Sequence, residues 1–317
     1  MKKQYRISMA LALCGLMLML LAGHIEQPRS AAASASLLIA GNGEAALYAG
    51  IQPPAGQPTR FGRDALYQGL LLFVSREHPL PADLPPQQSR DVRSLVGRYI
   101  PAGEHVSLSE ETIYALCDLA QENPLPETWI VEGMRSPLEQ QAMQRETFKL
   151  YQASMPVTEA LALAAENVPD SGRSEHQLAT AFDVQLNGRH AWSASDPMAH
   201  TQDGRWLLEN AWRYGFIRRY PPDKSQITGI QNETMHWRYV GKSHAEAMRL
   251  SGLCLEEYLE LLHAQGTLCL VDGEGRETWL LCRPCGPEGA DFDVPEGWRA
   301  EASADNLGFA VCALTRD

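Results

Sequence analysis

The sequence predicts an α+β fold, with a small antiparallel sheet flanked by helices and a short C-terminal β module. Capped segments with apolar residues at helical spacing alternate with short apolar runs over most of the chain. Beyond residue 266 only short β-like runs remain, separated by Gly, Pro, Asp and Asn. Of the 317 residues, 44% are hydrophobic and 21% are charged, which is typical of a globular protein.

Short apolar runs bounded by polar turns predict the strands of the main domain. These runs are residues 69–74, 129–131, 182–186 and 236–240. Helices are predicted where a capping pair precedes apolar residues at helical spacing. Ser107 with Glu110 has the spacing of a capping box, and Ser136 with Glu139 has the same spacing ahead of a helix that ends near Tyr151.

The N-terminus carries a compartment signal. Lys2, Lys3 and Arg6 precede the uncharged apolar residues 7–23, and a run of small residues follows at 30–36. We predict that residues 1–36 are a signal peptide or an uncleaved membrane anchor, and the sequence leaves the two open. Either one places the rest of the chain outside the cytoplasm, secreted or anchored to the cell membrane by residues 7–23.

Composition shifts divide the remainder of the chain. Residues 37–62 are rich in Ala, Gly and Pro and are predicted to be a linker. Residues 63–264 are predicted to be the main domain, and residues 265–317 the small β module. The net charge of −12 argues against nucleic acid as a partner, because binding it needs a basic surface. The sequence identifies no protein partner.

Two stretches contain residues suited to hydrolytic chemistry. The first includes His176 and Asp183, and the second includes Glu233 and His236. Hydrolytic zinc sites take three protein ligands from His, Asp or Glu and leave the fourth position to water. A nearby unligated carboxylate then serves as the base. Spacing alone does not establish a site, since Glu-x-x-His occurs by chance in many helices.

The two stretches together match the patterns S-x-H-x-x-(G/A)-x-A-x-D and E-x-x-H-(W/Y)-R. This pair resembles the signature of the VanY-type D-alanyl-D-alanine carboxypeptidases, zinc peptidases grouped with the D-Ala-D-Ala dipeptidases and hedgehog-like domains. Residues 133–140, 212–229 and 239–245 resemble further segments of that family, in the same order. The likeness covers roughly residues 70–260.

The resemblance implies a zinc site on the small sheet and a role for each matching residue. His176, Asp183 and His236 would bind Zn²⁺, and Glu233 would be the general base. The expected reaction is hydrolysis of the C-terminal D-Ala-D-Ala bond of peptidoglycan stem peptides.

Three further residues are expected to act on the substrate. Arg135 would stabilise the oxyanion or hold the substrate with its planar guanidinium. Ser174 and Gln140 are candidates for substrate contacts or for hydrogen bonds behind the ligands.

Several positions depart from the family pattern. Ala179 replaces the usual glycine, Met134 replaces the usual tyrosine, and Thr234-Met235 replaces the usual Pro-Trp. The last change alters a pocket wall, so an L,D-carboxypeptidase or an endopeptidase acting on peptidoglycan remains an alternative. A non-catalytic cell-wall-binding protein is the alternative of another class.

Four cysteines cluster near the C-terminus: Cys269, Cys282, Cys285 and Cys312. For an extracytoplasmic protein, disulfides are the first expectation. Buried free thiols come second, and a structural zinc site third.

Overall fold

The structure is a computed structural model that describes residues 36–40, 45–125, 128–186, 196–231 and 233–316. The predicted signal peptide or anchor lies almost wholly outside these residues. Within them, no helix combines the length and apolar character needed to cross a membrane.

The main domain is built on a four-stranded antiparallel sheet. Its strands, in spatial order, are β6 (Thr128–Glu132), β7 (Ala181–Leu186), β9 (His236–Tyr239) and β8 (Phe216–Arg218). Phe182, Phe216 and Trp237 lie in the apolar core on one face of this sheet. A two-stranded ribbon lies in the same domain, formed by β4 (Arg90–Asp91) and β5 (Ser107–Leu108). The predicted mixture of helices and a small antiparallel sheet is confirmed.

Helices lie around the four-stranded sheet and between it and a second sheet. They are α1 (Arg63–Leu66), α2 (Val92–Val96), α3 (Glu110–Glu122), α4 (Pro137–Gln152), α5 (Val157–Asn167), α6 (Pro197–His200), α7 (Gln202–Asn210), α8 (Ser225–Thr228), α9 (Lys242–Ser251) and α10 (Leu255–Gln265). The capping box of Ser136 and Glu139 begins α4 as predicted. The predicted box at Ser107 is wrong, because Ser107 lies in β5 and Ser109 caps α3 instead.

A six-stranded antiparallel sheet forms the second layer. In spatial order its strands are β1 (Ser36–Ala40), β2 (Ala45–Ala49), β10 (Thr267–Asp272), β11 (Glu277–Pro284), β14 (Phe309–Thr315) and β13 (Arg299–Ala304). The C-terminal strands therefore form a sheet separate from the four-stranded one, as predicted. The six-stranded sheet packs on α9 and α10, and Leu47, Leu268 and Leu280 share one core with Tyr258 and Leu262.

Residues 37–62 are not the linker that the sequence predicted. β2 lies within this stretch and pairs with the C-terminal strand β10, and β1 pairs with β2. β3 (Gln57–Gly62) pairs with β12 (Gly289–Val294). The side chains of β2 are completely buried, alternating between the two faces of the sheet. A strand buried on both faces contains no polar alternation, so its short Ala-rich sequence was mistaken for a linker.

The apolar residues 69–74 were predicted to be a buried strand, but they pair with no strand. Their backbone groups are bonded by side chains and loops instead. Arg238 donates through one Nη2 to the carbonyl oxygens of Leu70 and Leu72, at 2.8 and 2.7 Å. Ser303 accepts from the amide of Leu71 at 2.9 Å. Buried backbone groups must be satisfied, and here a guanidinium does so where a strand would otherwise be needed.

The C-terminal cysteines are free thiols in the described residues, so the first-ranked disulfides are wrong. Cys269 and Cys312 lie in β10 and β14, with β11 between them. Strands two places apart are separated by about 9.6 Å, beyond the reach of a disulfide. Cys282 contributes to the core on the opposite face. Burial raises the pKa of the thiols of Cys282 and Cys312 to about 12, so they remain protonated.

Candidate metal centre and its cleft

Two adjacent strands place the carboxylate and one imidazole of the site together. Asp183 of β7 lies directly opposite His236 of β9 in the antiparallel register. Side chains opposite one another have Cβ atoms about 4.5–5.5 Å apart. Asp183 Oδ1 lies 2.8 Å from His236 Nδ1. The register of two short strands thus brings together residues that are 53 positions apart in the chain.

His176 reaches the same point from a single 3-10 turn, Glu175–Gln177. The hydroxyl of Ser174 accepts from the backbone amide of His176 and begins this turn. His176 Nδ1 lies 2.8 Å from the carbonyl oxygen of Gly133. A carbonyl accepts only, so Nδ1 carries the proton and Nε2 keeps its lone pair. Nε2 lies 3.3 Å from Asp183 Oδ2.

Gly133 is required for this arrangement. A Cβ atom at position 133 would lie 2.5 Å from the carbonyl oxygen of Ser107. That contact is too close for any side chain. The glycine therefore lets the chain pass beside β5 while its carbonyl oxygen orients His176.

The donor set fits a tetrahedral metal ion. One ligand atom from each of His176, Asp183 and His236 lies within 4.8 Å of the others. Zinc–ligand distances near 2.0–2.1 Å give edges of about 3.3 Å in a tetrahedron. Asp183 Oδ2 lies 3.3 Å from His176 Nε2, which is the length of such an edge, and Asp183 Oδ1 lies at the shorter distance of 2.8 Å from His236 Nδ1. It is the one group of three or more metal-ligating side chains among the described residues.

The same groups are coupled electrostatically. Burial opposes ionisation of Asp183, but His176 and His236 outweigh it and hold the pKa of that carboxyl well below its usual range. Burial disfavours the charged form of His236, yet the hydrogen bonds that it donates to Asp183 and Glu175 raise its pKa to about 10. The ring of Tyr220 stacks on His236, with centroids 5.2 Å apart.

The group opens onto a cleft with a volume of about 490 Å³. That volume lies within the range of about 300–1,000 Å³ that is usual for ligand pockets. Glu233 lines the cleft beside the three donors and is itself outside the donor set. Burial raises the pKa of Glu233, partly countered by the imidazole of His236. A raised pKa suits a carboxyl group that both accepts and returns a proton.

Arg135 also lines the cleft. Its Nε lies 3.1 Å from Glu132 Oε1, and its Nη1 contacts the sulfur of Met143. Its backbone amide donates to the carbonyl oxygen of His176 at 2.6 Å. The guanidinium is therefore held at the wall of the cleft, close in the chain to the carbonyl that orients His176.

The two weaker candidates lie in different places. Ser174 lines the cleft and is buried. Gln140 is completely buried and does not line the cleft; its amide nitrogen donates to the carbonyl oxygen of Pro169 at 2.7 Å. Gln140 therefore fastens α4 to the loop that precedes His176, and it makes no contact with the cleft.

Sequence reasoning missed a set of buried charges behind the donors. Glu175 accepts from His236, Arg219 and Arg238. Burial opposes ionisation of Glu175, but Arg219 and Arg238 hold its pKa well below the usual range. The available signal was the presence of Arg219 and Arg238 inside the apolar runs FIRRY and HWRYV. An arginine is almost never fully buried without a partner, so an arginine in such a run predicts a buried charge pair.

Arg173 was also missed. It is partly exposed, lines the cleft, and has no carboxylate partner among the residues that the structure describes. By contrast, Arg135 and Arg219, which line the same cleft, each pair with a carboxylate. Arg173 therefore presents an uncompensated positive charge to whatever enters.

Comparison with known proteins agrees with this geometry. Residues 107–242 match the family model VanY, described as D-alanyl-D-alanine carboxypeptidase. A D-alanyl-D-alanine carboxypeptidase of Enterococcus faecalis is 36% identical over 191 residues, which is 60% of this chain and 65% of that protein. The chain thus spans slightly less than two thirds of that relative.

Two solved structures are similar. The vancomycin-resistance D,D-dipeptidase VanXYg, in complex with a D-Ala-D-Ala phosphinate analogue, covers 81% of this chain and 98% of its own, with a TM-score of 0.64 and 24% identity. It supports the fold. A VanY D,D-pentapeptidase variant in complex with Zn(II) is 34% identical, covering 61% of this chain and 99% of its own, with a TM-score of 0.48. Residues 107–242 of this chain are thus similar to the VanY family of D-alanyl-D-alanine carboxypeptidases.

Proposed function

We propose that this protein is a zinc-dependent carboxypeptidase that hydrolyses the C-terminal D-Ala-D-Ala bond of peptidoglycan stem peptides. The observation that carries the proposal is the group of His176, Asp183 and His236 at a cleft that also contains Glu233. The name of the Enterococcus faecalis relative supports the same substrate. Peptidoglycan as substrate places the reaction outside the cytoplasm, and membrane attachment through residues 7–23 is part of the proposal.

Zinc is the metal that this donor set fits best. Two imidazoles and one carboxylate at tetrahedral spacing are typical of hydrolytic zinc sites. When bound, Zn²⁺ lowers the pKa of water to about 7 and polarises the scissile carbonyl. The remaining steps belong to the side chains of the cleft.

Glu233 acts as general base and then as general acid. It accepts a proton from the attacking water and returns that proton to the nitrogen of the departing D-alanine. Its raised pKa allows both states within one cycle. The carboxylate lines the cleft without belonging to the donor set, which leaves it available for proton transfer.

Two arginines are assigned to the substrate. Arg135 stabilises the oxyanion as the carbonyl is attacked, since a planar guanidinium presents two parallel donors. Arg173, with no carboxylate partner among the described residues, binds a carboxylate of the stem peptide. Ser174 is a further candidate for a substrate contact, and Gln140 holds the loop behind it.

The substrate class has a direct test. The full chain is incubated with pentapeptide and tetrapeptide stems, with and without a chelator, and the products are measured by mass spectrometry. Chelator-sensitive loss of one D-alanine from the pentapeptide alone is the expected result. Cleavage of the tetrapeptide would reassign the enzyme as an L,D-carboxypeptidase. Cleavage of neither would favour an endopeptidase or a non-catalytic wall-binding protein.

The wall-binding alternative is disfavoured by one residue. A protein that retained the metal only for structure would have no need of a carboxylate at position 233, where desolvation and the charge of Asp183 both oppose its ionisation.

A further inference from the structure

A completely buried carboxylate lies directly behind the metal ligand His236. Glu175 Oε2 is 3.2 Å from His236 Nε2, and its other oxygen accepts from Arg219 Nε at 2.8 Å and from Arg238 Nη1 at 2.7 Å. The side chain of Glu175 is 2% exposed. The three partners His236, Arg219 and Arg238 all offer nitrogen donors to the oxygens of Glu175.

This contact decides which nitrogen of His236 is free to bind a metal. Both nitrogens of His236 face a carboxylate, Nε2 facing Glu175 and Nδ1 facing Asp183. Asp183 is itself a candidate ligand, so a metal ion bound there would replace the proton on Nδ1, whereas Glu175 accepts the proton that stays on Nε2. If Nε2 had no acceptor, the imidazole would be free to take the other tautomer, with a proton on the ligating atom.

Glu175 is itself fixed from two directions. Arg219 forms a bidentate pair with Glu256 of α10, at 3.0 and 2.8 Å. Arg238 is anchored by the carbonyl oxygens of Leu70 and Leu72. The position of Glu175 is thus set by a helix and by the extended run 69–74, both far from the ligands in the sequence.

We propose that Glu175 is a positioning residue for His236, and that Arg219 and Arg238 hold it in place through α10 and residues 69–74. The inference rests on the proposed metal site. Outer acceptors of metal-bound imidazoles fix the tautomer and ring orientation, and their loss costs about 10- to 100-fold in metal affinity. A role in stability alone is a weak account, because buried ion pairs are often no better than apolar replacements.

Two substitutions at the same position separate positioning from stability. Glu175→Leu and Glu175→Gln both remove the charge that compensates Arg219 and Arg238, so both destabilise the fold. Only glutamine retains an oxygen that accepts from His236 Nε2. We expect a loss in zinc affinity of about 10- to 100-fold for Glu175→Leu and a clearly smaller loss for Glu175→Gln. Affinity is measured by competition with a chromogenic chelator, and the melting temperature of each metal-free protein is measured alongside.

The matched control is Glu256→Gln, which weakens the support of Arg219 without touching His236. Its loss in zinc affinity is expected to be smaller than that of Glu175→Leu. Equal losses in Glu175→Leu and Glu175→Gln, or wild-type affinity in both, would overturn the inference. A wild-type protein that binds no zinc would overturn the proposed function as well, so the two failures are distinguishable.

A measurement on the unaltered protein tests the inference even if the variants fail to fold. In the zinc-loaded, ¹⁵N-labelled full chain, imidazole correlation spectra report which nitrogen of each histidine is protonated. For His236 we expect a proton on Nε2 and none on Nδ1. The opposite assignment would contradict the role given to Glu175, whatever the variants do.

Discussion

The two sheets of this protein differ in the charge that is buried beside them. On the face of the four-stranded sheet that carries His236 lie Glu175, Arg219 and Arg238, all almost inaccessible to water. The six-stranded sheet buries mainly aliphatic residues, Trp279 and free thiols. Burying charge costs free energy unless each group is paired, whereas apolar burial stabilises at about 25 cal/mol per Å². The four-stranded sheet therefore carries a charge network beside the site in addition to its own apolar core, whereas the six-stranded sheet buries mainly apolar side chains.

The largest expected effect is on catalysis at the four-stranded sheet. Glu233→Gln removes the proton acceptor while leaving His176, Asp183 and His236 intact. We expect kcat/KM for release of D-alanine from the pentapeptide to fall by about 10²- to 10⁴-fold, with zinc stoichiometry unchanged. Unchanged activity in this variant would show that the proposed mechanism is wrong.

The next effect is on stability at the six-stranded sheet. Trp279 is completely buried and is the largest such side chain among the residues that the structure describes. Trp279→Ala is expected to lower the free energy of unfolding by about 3–5 kcal/mol, as measured by chemical denaturation of the full chain. The folded fraction should retain wild-type zinc affinity. A loss of affinity there would mean that the two regions are not separable as described.

A smaller effect depends on pH and on His244 of α9. This imidazole is buried against Tyr258 Oη at 2.7 Å, and burial lowers its pKa to about 4. An unfolded histidine titrates near 6.5, so the unfolded state binds the proton first and stability falls as pH drops from about 6.5 to 4. The loss amounts to about 3 kcal/mol at most.

The matched comparison is His244→Gln, which cannot titrate in this range. Its free energy of unfolding should fall less than that of the wild type between pH 7 and pH 4. Parallel curves for the two proteins would show that His244 is not the titrating group.

The smallest effect concerns the thiols. Cys269 is completely buried in β10 and free. Cys269→Ala removes a single sulfur atom and is expected to cost about 1 kcal/mol or less. Adding a reductant to the wild type should leave its melting temperature unchanged. A drop in melting temperature on reduction would reveal a disulfide and contradict the strand spacing.

The sequence predicted the fold class and the three side chains that converge at the candidate metal site, but it did not predict the charge network. The three ligands were predicted from local sequence, because His176, Asp183 and His236 lie in two short motifs that resemble a family signature. The link from Glu175 to Arg219 and Glu256 joins residues 44 and 37 positions apart and has no local pattern. Only the folded chain shows that these residues meet.

The same reason explains the errors. The strand β2 was read as part of a linker because pairing with β10, more than two hundred residues away, decides its conformation. Residues 69–74 were read as a strand because their apolar character is the same whether a sheet or Arg238 satisfies the backbone. The apolar pattern of a segment predicts that it is buried, but it does not predict which strand or side chain satisfies its backbone.

The pairing of β2 with β10 also sets the order of assembly. Ala45–Ala49 lies between β1 and β10, so this early segment cannot enter its sheet until Thr267–Asp272 has been synthesised. Contacts between such distant segments close slowly, because loop entropy must be overcome before the pairing is formed. During that interval the apolar strand β2 has no β10 to pair with. The emerging protein is thus most vulnerable to aggregation just before its last strands arrive.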